Sequence, residues 1–449
     1  MSETTRREFL AASLAAAPAI RPRPNILLLF PDQHRFDWTG ANRDLPLRTP
    51  NLDGLRRRGV TLTNAVVPSP LCAPSRACLA AGKEYDRCRV PGNNTDYPLD
   101  QTTFYTLLRE SGYHVSGCGK FDLHKKSPVW GLDGKGLLRE WGFSDGIDSE
   151  GKGDAISSGA VAPKGPYMAY LHSRGLASAH VADFKRRKDY SFTAPTPLPE
   201  EAYCDNWVAS NGLRLMRAFP RGKPWYMAVN FPGPHAPMDI TRRMEERWRG
   251  VKFPPPHRNT QFPAETHLAI RQNYAAMIEN IDRLAGVFLD EVRRRGELDN
   301  TLVVFSSDHG EMLGDHDRWN KVVPYQPSVG VPLAVVGPGV LGNLASPALV
   351  STMDLAATFL DYGGVARPAG MDSRSLRPLI EGRERQHREF VRSGLNRWRM
   401  VWDGRYKLVR GFDPSAERTL FDLQEGPWED RNLAPDRPDV VRRLDSLLT

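Results

Sequence analysis

Short, almost uninterrupted apolar runs, each stopped abruptly by proline or polar residues, constrain this chain more than any other feature. Asn25-Ile-Leu-Leu-Leu-Phe30 closes on Pro31 and opens into Asp32-Gln33-His34-Arg35. The run over residues 225–231 ends in Pro232-Gly-Pro-His235-Ala-Pro237. Thr301-Leu-Val-Val-Phe305 ends in Ser306-Ser-Asp308-His309-Gly310-Glu311. Runs without polar alternation read as strands buried on both faces, the pattern of a parallel sheet covered by helices. Residues 62–67, 113–118 and 331–336 supply further strands. Helical stretches fall at 49–59, 102–110, 200–219, 264–295 and 352–362. This alternation predicts an α/β fold with a large, mostly parallel sheet sandwiched by helices.

Beyond about residue 385 the texture changes. Short strand-like runs at 390–392, 398–402, 406–410 and 419–423 are separated by turns such as Asp403-Gly404, and a helix follows at 440–448. This predicts a small antiparallel sheet plus helix, and so a division into residues 23–384 and 385–449. Residues 125–199, rich in Gly, Ser and charge with little periodicity, read as a functional loop system.

The first 22 residues stand apart. Thr5-Arg6-Arg7-Glu8-Phe9-Leu10 precedes a short apolar run and Ala17-Pro18-Ala19. A charged start, a short apolar core and a small-residue exit make a secretory signal, and the paired arginines point to the twin-arginine route. The apolar run is too short to span a bilayer, so export to the periplasm or outside is expected, without membrane insertion. The net charge of +8 fits an anionic partner or an Arg-rich solvated surface. With no nucleic-acid motif and no basic–aromatic stripe, no nucleic-acid partner is expected. The five cysteines form no C-x-x-C pair and are too scattered for a disulfide framework. Their odd number leaves one thiol over.

The candidate for that thiol is Cys72. Cys72-Ala-Pro-Ser-Arg76 follows a strand and opens a short Ala-rich helix closed by Gly82. A helix start favours a bound anion, and Arg76 adds a fixed cation. Taken alone, the cysteine reads as a buried structural thiol. The strand-end clusters change that reading, because parallel strands bring Asp32, the Lys120–His124 stretch, His235 and Asp308-His309 to one sheet edge. Asp32, Asp308 and the oxygen of Gln33 are hard ligands suited to calcium or magnesium, and His309 adds a nitrogen. Arg76, Lys120, His124, His235 and Lys321 bring cations and proton donors. A metal plus several cationic donors equips a site for a tetrahedral oxyanion ester, sulfate or phosphate. The sequence around Gly119-Lys120 lacks the P-loop glycine and hydroxyl, and no H-E-x-x-H occurs.

These motifs resemble the type I, formylglycine-dependent sulfatases of the alkaline-phosphatase-like superfamily. The resemblance rests on Cys72-Ala-Pro-Ser-Arg76 with Gly82, Gly119-Lys120, Pro234-His235-Ala-Pro237 and Ser307-Asp308-His309-Gly310, and reaches the Leu420-Phe-Asp-Leu stretch. It implies oxidation of Cys72 to formylglycine by a formylglycine-generating enzyme. One hydroxyl of the hydrated aldehyde would attack sulfur, aided by the metal and Arg76, with His235 protonating the leaving oxygen. The other hydroxyl, deprotonated by a neighbour such as His124, would expel sulfate by C–O cleavage. Lys120 and Lys321 would hold sulfate oxygens. Asp32, Gln33, Cys72, Asp308 and His309 would surround one divalent metal, expected to be Ca2+. Two positions depart from the family pattern. Gln33 stands where many relatives carry Asp, and Asp122 stands where many carry His, with His124 two places later. His124 is the expected base, with Asp122 as a possible substrate contact. The expected substrate is a sulfated small molecule or glycan, with Trp130, Trp141 and Trp319 as weak pointers to sugar. The alternatives are a phosphodiester or phosphonate monoester hydrolase on the same scaffold, and a non-catalytic sulfoglycan-binding relative that keeps Cys72 as a thiol.

Overall fold

The computed structural model describes residues 23–448. The proposed signal, residues 1–22, lies outside them. The main sheet has eight strands: β1 (Asn25–Leu29), β2 (Val60–Val66), β3 (His114–Gly119), β4 (Ile147–Asp148), β5 (Trp225–Asn230), β6 (Thr301–Phe305), β7 (Ala334–Val336) and β8 (Leu344–Ser351). Their order is β4-β3-β5-β1-β6-β7-β2-β8. β1 sits between β5 and β6 and pairs with both in parallel. Alternate residues of β1 feed two cores on opposite faces: Ile26 and Leu28 meet Ala73, Ala77 and Phe359, while Leu27 and Leu29 meet Ile281, Leu284 and Phe288. Full burial of each such side chain is worth about 1.5–3 kcal/mol, which is why Ile26 to Phe30 are all apolar.

Only β7 runs against its neighbours. The chain leaves β6 at the polar edge, stays there through residues 306–333 and re-enters the sheet from that edge. A parallel strand would need a crossover back to the far side. The eighth strand, β8, was not expected from the sequence. It contains Pro347, and its pairing with β2 slips between Leu62 and Asn64, a bulge that accommodates the proline. Residues 125–199 also hold more regular structure than expected, with helices Gly153–Gly159, Pro166–Ser173 and Ala177–Arg186. Tyr167, Met168 and Leu171 anchor the middle one in the core, and helices this short carry too little periodicity to read.

The C-terminal strands β9 (Val391–Leu395), β10 (Trp398–Trp402), β11 (Tyr406–Arg410) and β12 (Arg418–Asp422) form an antiparallel sheet in the order β12-β11-β10-β9. Met400, Trp402, Val409 and Phe421 pack on the main core. Val401, Leu408 and Leu420 on the other face cover Val440 and Leu444 of the helix Pro438–Asp445. Among the described residues no helix is long and apolar enough to cross a membrane.

Candidate active site

The ends of β1, β3, β5 and β6 meet at one sheet edge, and β2 delivers the helix Cys72–Ala81 to the same place. Gly82 ends that helix at φ 61°, its N–H turned back onto the carbonyls of Cys78 and Leu79. This left-handed cap is one that glycine adopts without a Cβ penalty. At the other end the helix is pinned to the β6 loop, because Ser75 Oγ donates to the Asp308 carbonyl at 2.5 Å. Arg76 Nε donates to Asp308 Oδ2 at 2.9 Å, and its guanidinium lies 3.5 Å from Asp32 Oδ2. Donor atoms of Asp32, Cys72, Asp308 and His309 all lie within 4.8 Å of one another. Cys72 Sγ is 3.2 Å from His309 Nε2 and 3.9 Å from Asp32 Oδ1.

All four residues are buried. Burial alone would raise the Asp32 carboxyl, but Lys120, His235, Arg76 and His309 together hold it well below the carboxylate range. Asp308 goes the other way. Burial raises it, and the nearby Asp32 carboxylate adds to this against the pull of Arg76. Two buried carboxylates and one imidazole converging on one point are a donor set that fits a divalent cation. Gln33, at φ 68°, gives its backbone N–H to Asp308 Oδ1 at 3.0 Å. Its side-chain oxygen accepts from Lys321 Nζ at 2.6 Å, and its amide nitrogen donates to Glu311.

Cys72 opens onto a cavity of about 220 Å³ whose wall includes Lys120, Lys125, Lys152, His235 and Lys321. Lys120 pairs with Asp32 and lies 3.0 Å from Asp122. Lys321 Nζ is 2.7 Å from His235 Nε2, while His235 Nδ1 faces the Ala236 carbonyl at 2.6 Å. His235 Nδ1 therefore carries the proton and Nε2 accepts from the ammonium. Burial, then Lys321 and Lys120 against Asp32, push His235 well below the usual histidine range. Burial and Asp32 push the Cys72 thiol up, yet Lys120, Lys321 and His309 outweigh them and bring it to about 6. The buried thiols of Cys118 and Cys204 are instead pushed up by burial. Cys118 and Cys204 each feel one opposing cation, Arg214 and Lys152, where Cys72 feels Lys120, Lys321 and His309 together.

His124, expected as a base at the reacting centre, is not brought to the cavity. Its Nε2 lies 2.7 Å from Asp148 Oδ2 and its Nδ1 2.6 Å from the Ser127 carbonyl. Against the cost of burial, Asp148 and the Ser127 carbonyl lift it to about 9. A protonated ring donating from both nitrogens has no lone pair to act as a base. Trp130 and Trp141 pack on this ring and are themselves buried, so neither is a sugar platform. Trp319 stacks on His267. Asp122 holds Lys120 and Lys125 together rather than facing the cavity alone.

Three residues went unread in the sequence. Lys125 and Lys152 lie in the aperiodic 125–199 stretch, yet both line the cavity. Buried Glu311 accepts from the backbone of Leu313 (2.9 Å) and Asn320 (2.6 Å), from Tyr190 Oη (2.9 Å) and from Gln33. It thereby sets both the Gln33 amide and the loop that carries Lys321. Its place directly after Asp308-His309-Gly310 was the available signal. Val322, next to Lys321, is held from two sides. It donates to the Pro70 carbonyl at 3.2 Å, and its own carbonyl accepts from Trp398 Nε1 at 3.1 Å. The C-terminal antiparallel sheet, through Trp398, thus helps fix a cavity lysine.

Comparison with known proteins decides the family. The sulfatase profile matches residues 24–365, most of the chain. The chain belongs to the sulfatase family. A second profile, the C-terminal region of N-sulphoglucosamine sulphohydrolase, matches residues 314–448. This sulfatase is 26% identical to an arylsulfatase of Clostridium perfringens, over 94% of this chain and 93% of the relative. Among solved structures it resembles the phosphonate monoester hydrolase of Agrobacterium radiobacter, with a TM-score of 0.78, 23% identity and 95% of each chain covered. A protein solved in complex with its substrate D-glucosamine-2-N,6-O-disulfate matches with a TM-score of 0.76, 20% identity, and 95% and 97% coverage. The fold is that of the alkaline-phosphatase-like sulfatases, and the chain is a sulfuric ester hydrolase.

Proposed function

We propose that this sulfatase, exported by the twin-arginine route, hydrolyses a sulfate ester on a carbohydrate, with a formylglycine made from Cys72 and one Ca2+. The observation that carries the reading is the placement of Cys72 at a helix mouth, between a cation-binding donor set and a lysine-lined cavity. The match to a structure holding a disulfated glucosamine supports the carbohydrate. Asp32, Asp308 and His309, with the Gln33 carboxamide oxygen, would hold the cation, which would supply Lewis-acid activation of the nucleophilic oxygen that the hydrated aldehyde at position 72 would offer. Arg76 fixes both carboxylates in place, forked onto Asp308 and Asp32. Lys120 and Lys321 supply the positive charge that binds the sulfuryl oxygens. The proton for the leaving oxygen comes from the Lys321–His235 pair, since His235 Nε2 is supplied by the Lys321 ammonium. With both ring nitrogens committed to Asp148 and the Ser127 carbonyl, His124 does not serve as the proton acceptor for sulfate release.

A second reading, hydrolysis of a phosphodiester or phosphonate monoester, is supported by the match to the Agrobacterium enzyme. Turnover of matched aryl sulfate and aryl phosphodiester substrates separates the two. The sulfate is expected to give the higher kcat/KM, and a strong phosphodiester preference overturns the assignment. Chelation is expected to abolish turnover and Ca2+ to restore it. Restoration by zinc or manganese but not calcium reassigns the metal.

A further inference from the structure

We propose that His257, His316 and Asp430 form a second divalent-metal site, separate from the Asp32, Cys72, Asp308 and His309 donor set, that clips the C-terminal subdomain to the catalytic domain with zinc or a similar borderline ion. His257 lies in the Pro-rich connection before the long helix Ala264–Arg294, His316 in the loop after β6, and Asp430 after β12. Their donor atoms lie within 4.8 Å of one another. His257 Nε2 is 2.9 and 3.1 Å from the two Asp430 oxygens, and His316 Nδ1 is 3.9 Å from one of them. Tetrahedral zinc with bonds of about 2.0 Å wants donors about 3.3 Å apart, so closure needs movements of ~1.5 Å or less.

The surroundings prepare both rings. His316 Nε2 faces the Trp428 carbonyl at 2.8 Å. That contact fixes the proton on Nε2 and leaves the Nδ1 lone pair toward Asp430, the outer hydrogen bond that ligating histidines make. His257 is stacked on Trp428, with centroids 4.5 Å apart and planes at 16°, and His316 on Tyr325 at 4.7 Å and 9°. The two backbones are tied together. The His316 N–H donates to the His257 carbonyl at 2.8 Å, and the His257 N–H to Asp315 Oδ1 at 2.8 Å. His316 (φ 58°), Arg258 (φ 50°) and Glu429 (φ 58°) all hold left-handed backbone, uncommon for residues with a side chain and concentrated at functional positions. Two imidazoles and one carboxylate favour a borderline ion over calcium, and three protein ligands leave a fourth position for water. One group competes. The exposed Arg258 guanidinium lies 3.2 Å from Asp430 and must swing away when the ion enters.

The test keeps the catalytic centre saturated with excess Ca2+ and adds Zn2+ to wild type, His257→Ala and Asp430→Asn. Wild type is expected to retain one more zinc per chain on equilibrium dialysis than either variant. It is also expected to show a zinc-dependent rise in Tm that both variants lose, while turnover of a small aryl sulfate stays near wild type in all three. Equal zinc content and equal melting shifts in all three overturn the proposal. Should those variants fail to fold, Arg258→Ala decides. Removing the competing cation is expected to tighten zinc binding several-fold, and unchanged affinity overturns the site.

Discussion

The pair Lys321–His235 and the pair His124–Asp148 use the same residue type in opposite ways. Both imidazoles follow strands of the main sheet and both are largely buried. His235 is ringed by ammonium groups, so after the cost of burial each added lysine charge drives it further toward the neutral form. His124 lies on a carboxylate and a carbonyl, which overcome the same cost and hold it charged to about pH 9. Burial acts on both in one direction, and the partner decides the outcome. Only the neutral ring lines the cavity, where its lone pair takes a proton from a neighbour and can pass it on. The charged ring is a strut for the loop between β3 and β4.

The largest expected effect is on turnover. His235→Ala should lower kcat for a sulfate ester with a poor leaving group by about 10²–10⁴-fold, the usual worth of a placed proton donor. His124→Gln in a folded protein should leave the same rate nearly unchanged. Equal losses in the two variants break the comparison. Next comes pH-dependent stability. Because the folded His124 titrates near 9 and an unfolded one near 6.5, its contribution is complete below 6.5 and is lost as pH rises through 9. That difference amounts to up to ~3 kcal/mol. Denaturant midpoints followed from pH 6 to 10 should therefore fall for wild type and stay flatter for His124→Gln. A slope shared by both proteins places the titrating group elsewhere. The smallest effect is expected from Glu311→Gln, which keeps the shape but weakens the acceptor for Gln33, Tyr190 and two backbone groups. A loss of about 10–100-fold in metal affinity or activity is the scale for such supporting contacts. Calcium titration by calorimetry alongside kinetics checks it.

Much of the fold was legible because burial on both faces leaves no room for polar residues. The runs that became β1, β5 and β6 could hardly be anything but central strands. β8 was hidden by Pro347 and its bulge, and the helices of residues 153–186 by their shortness. At the site, residues tied to a strand end or to the Cys72 turn were legible, since position along the chain fixes where they emerge. Asp32, Arg76, Lys120, His235, Asp308, His309 and Lys321 all arrive at one place. His124 misled because its role depends on Asp148, 24 positions away and on another strand, which no local pattern reveals. Lys125, Lys152 and Glu311 matter through long-range partners in the same way.

The chemical state of Cys72 decides whether a formylglycine carries the reaction. Trypsin should release the peptide from Gly59 to Arg76, and mass spectrometry of that peptide from active enzyme reads the state directly. An aldehyde in place of the thiol, trapped by hydroxylamine, is the predicted result. An intact Cys72 thiol throughout a fully active preparation contradicts it.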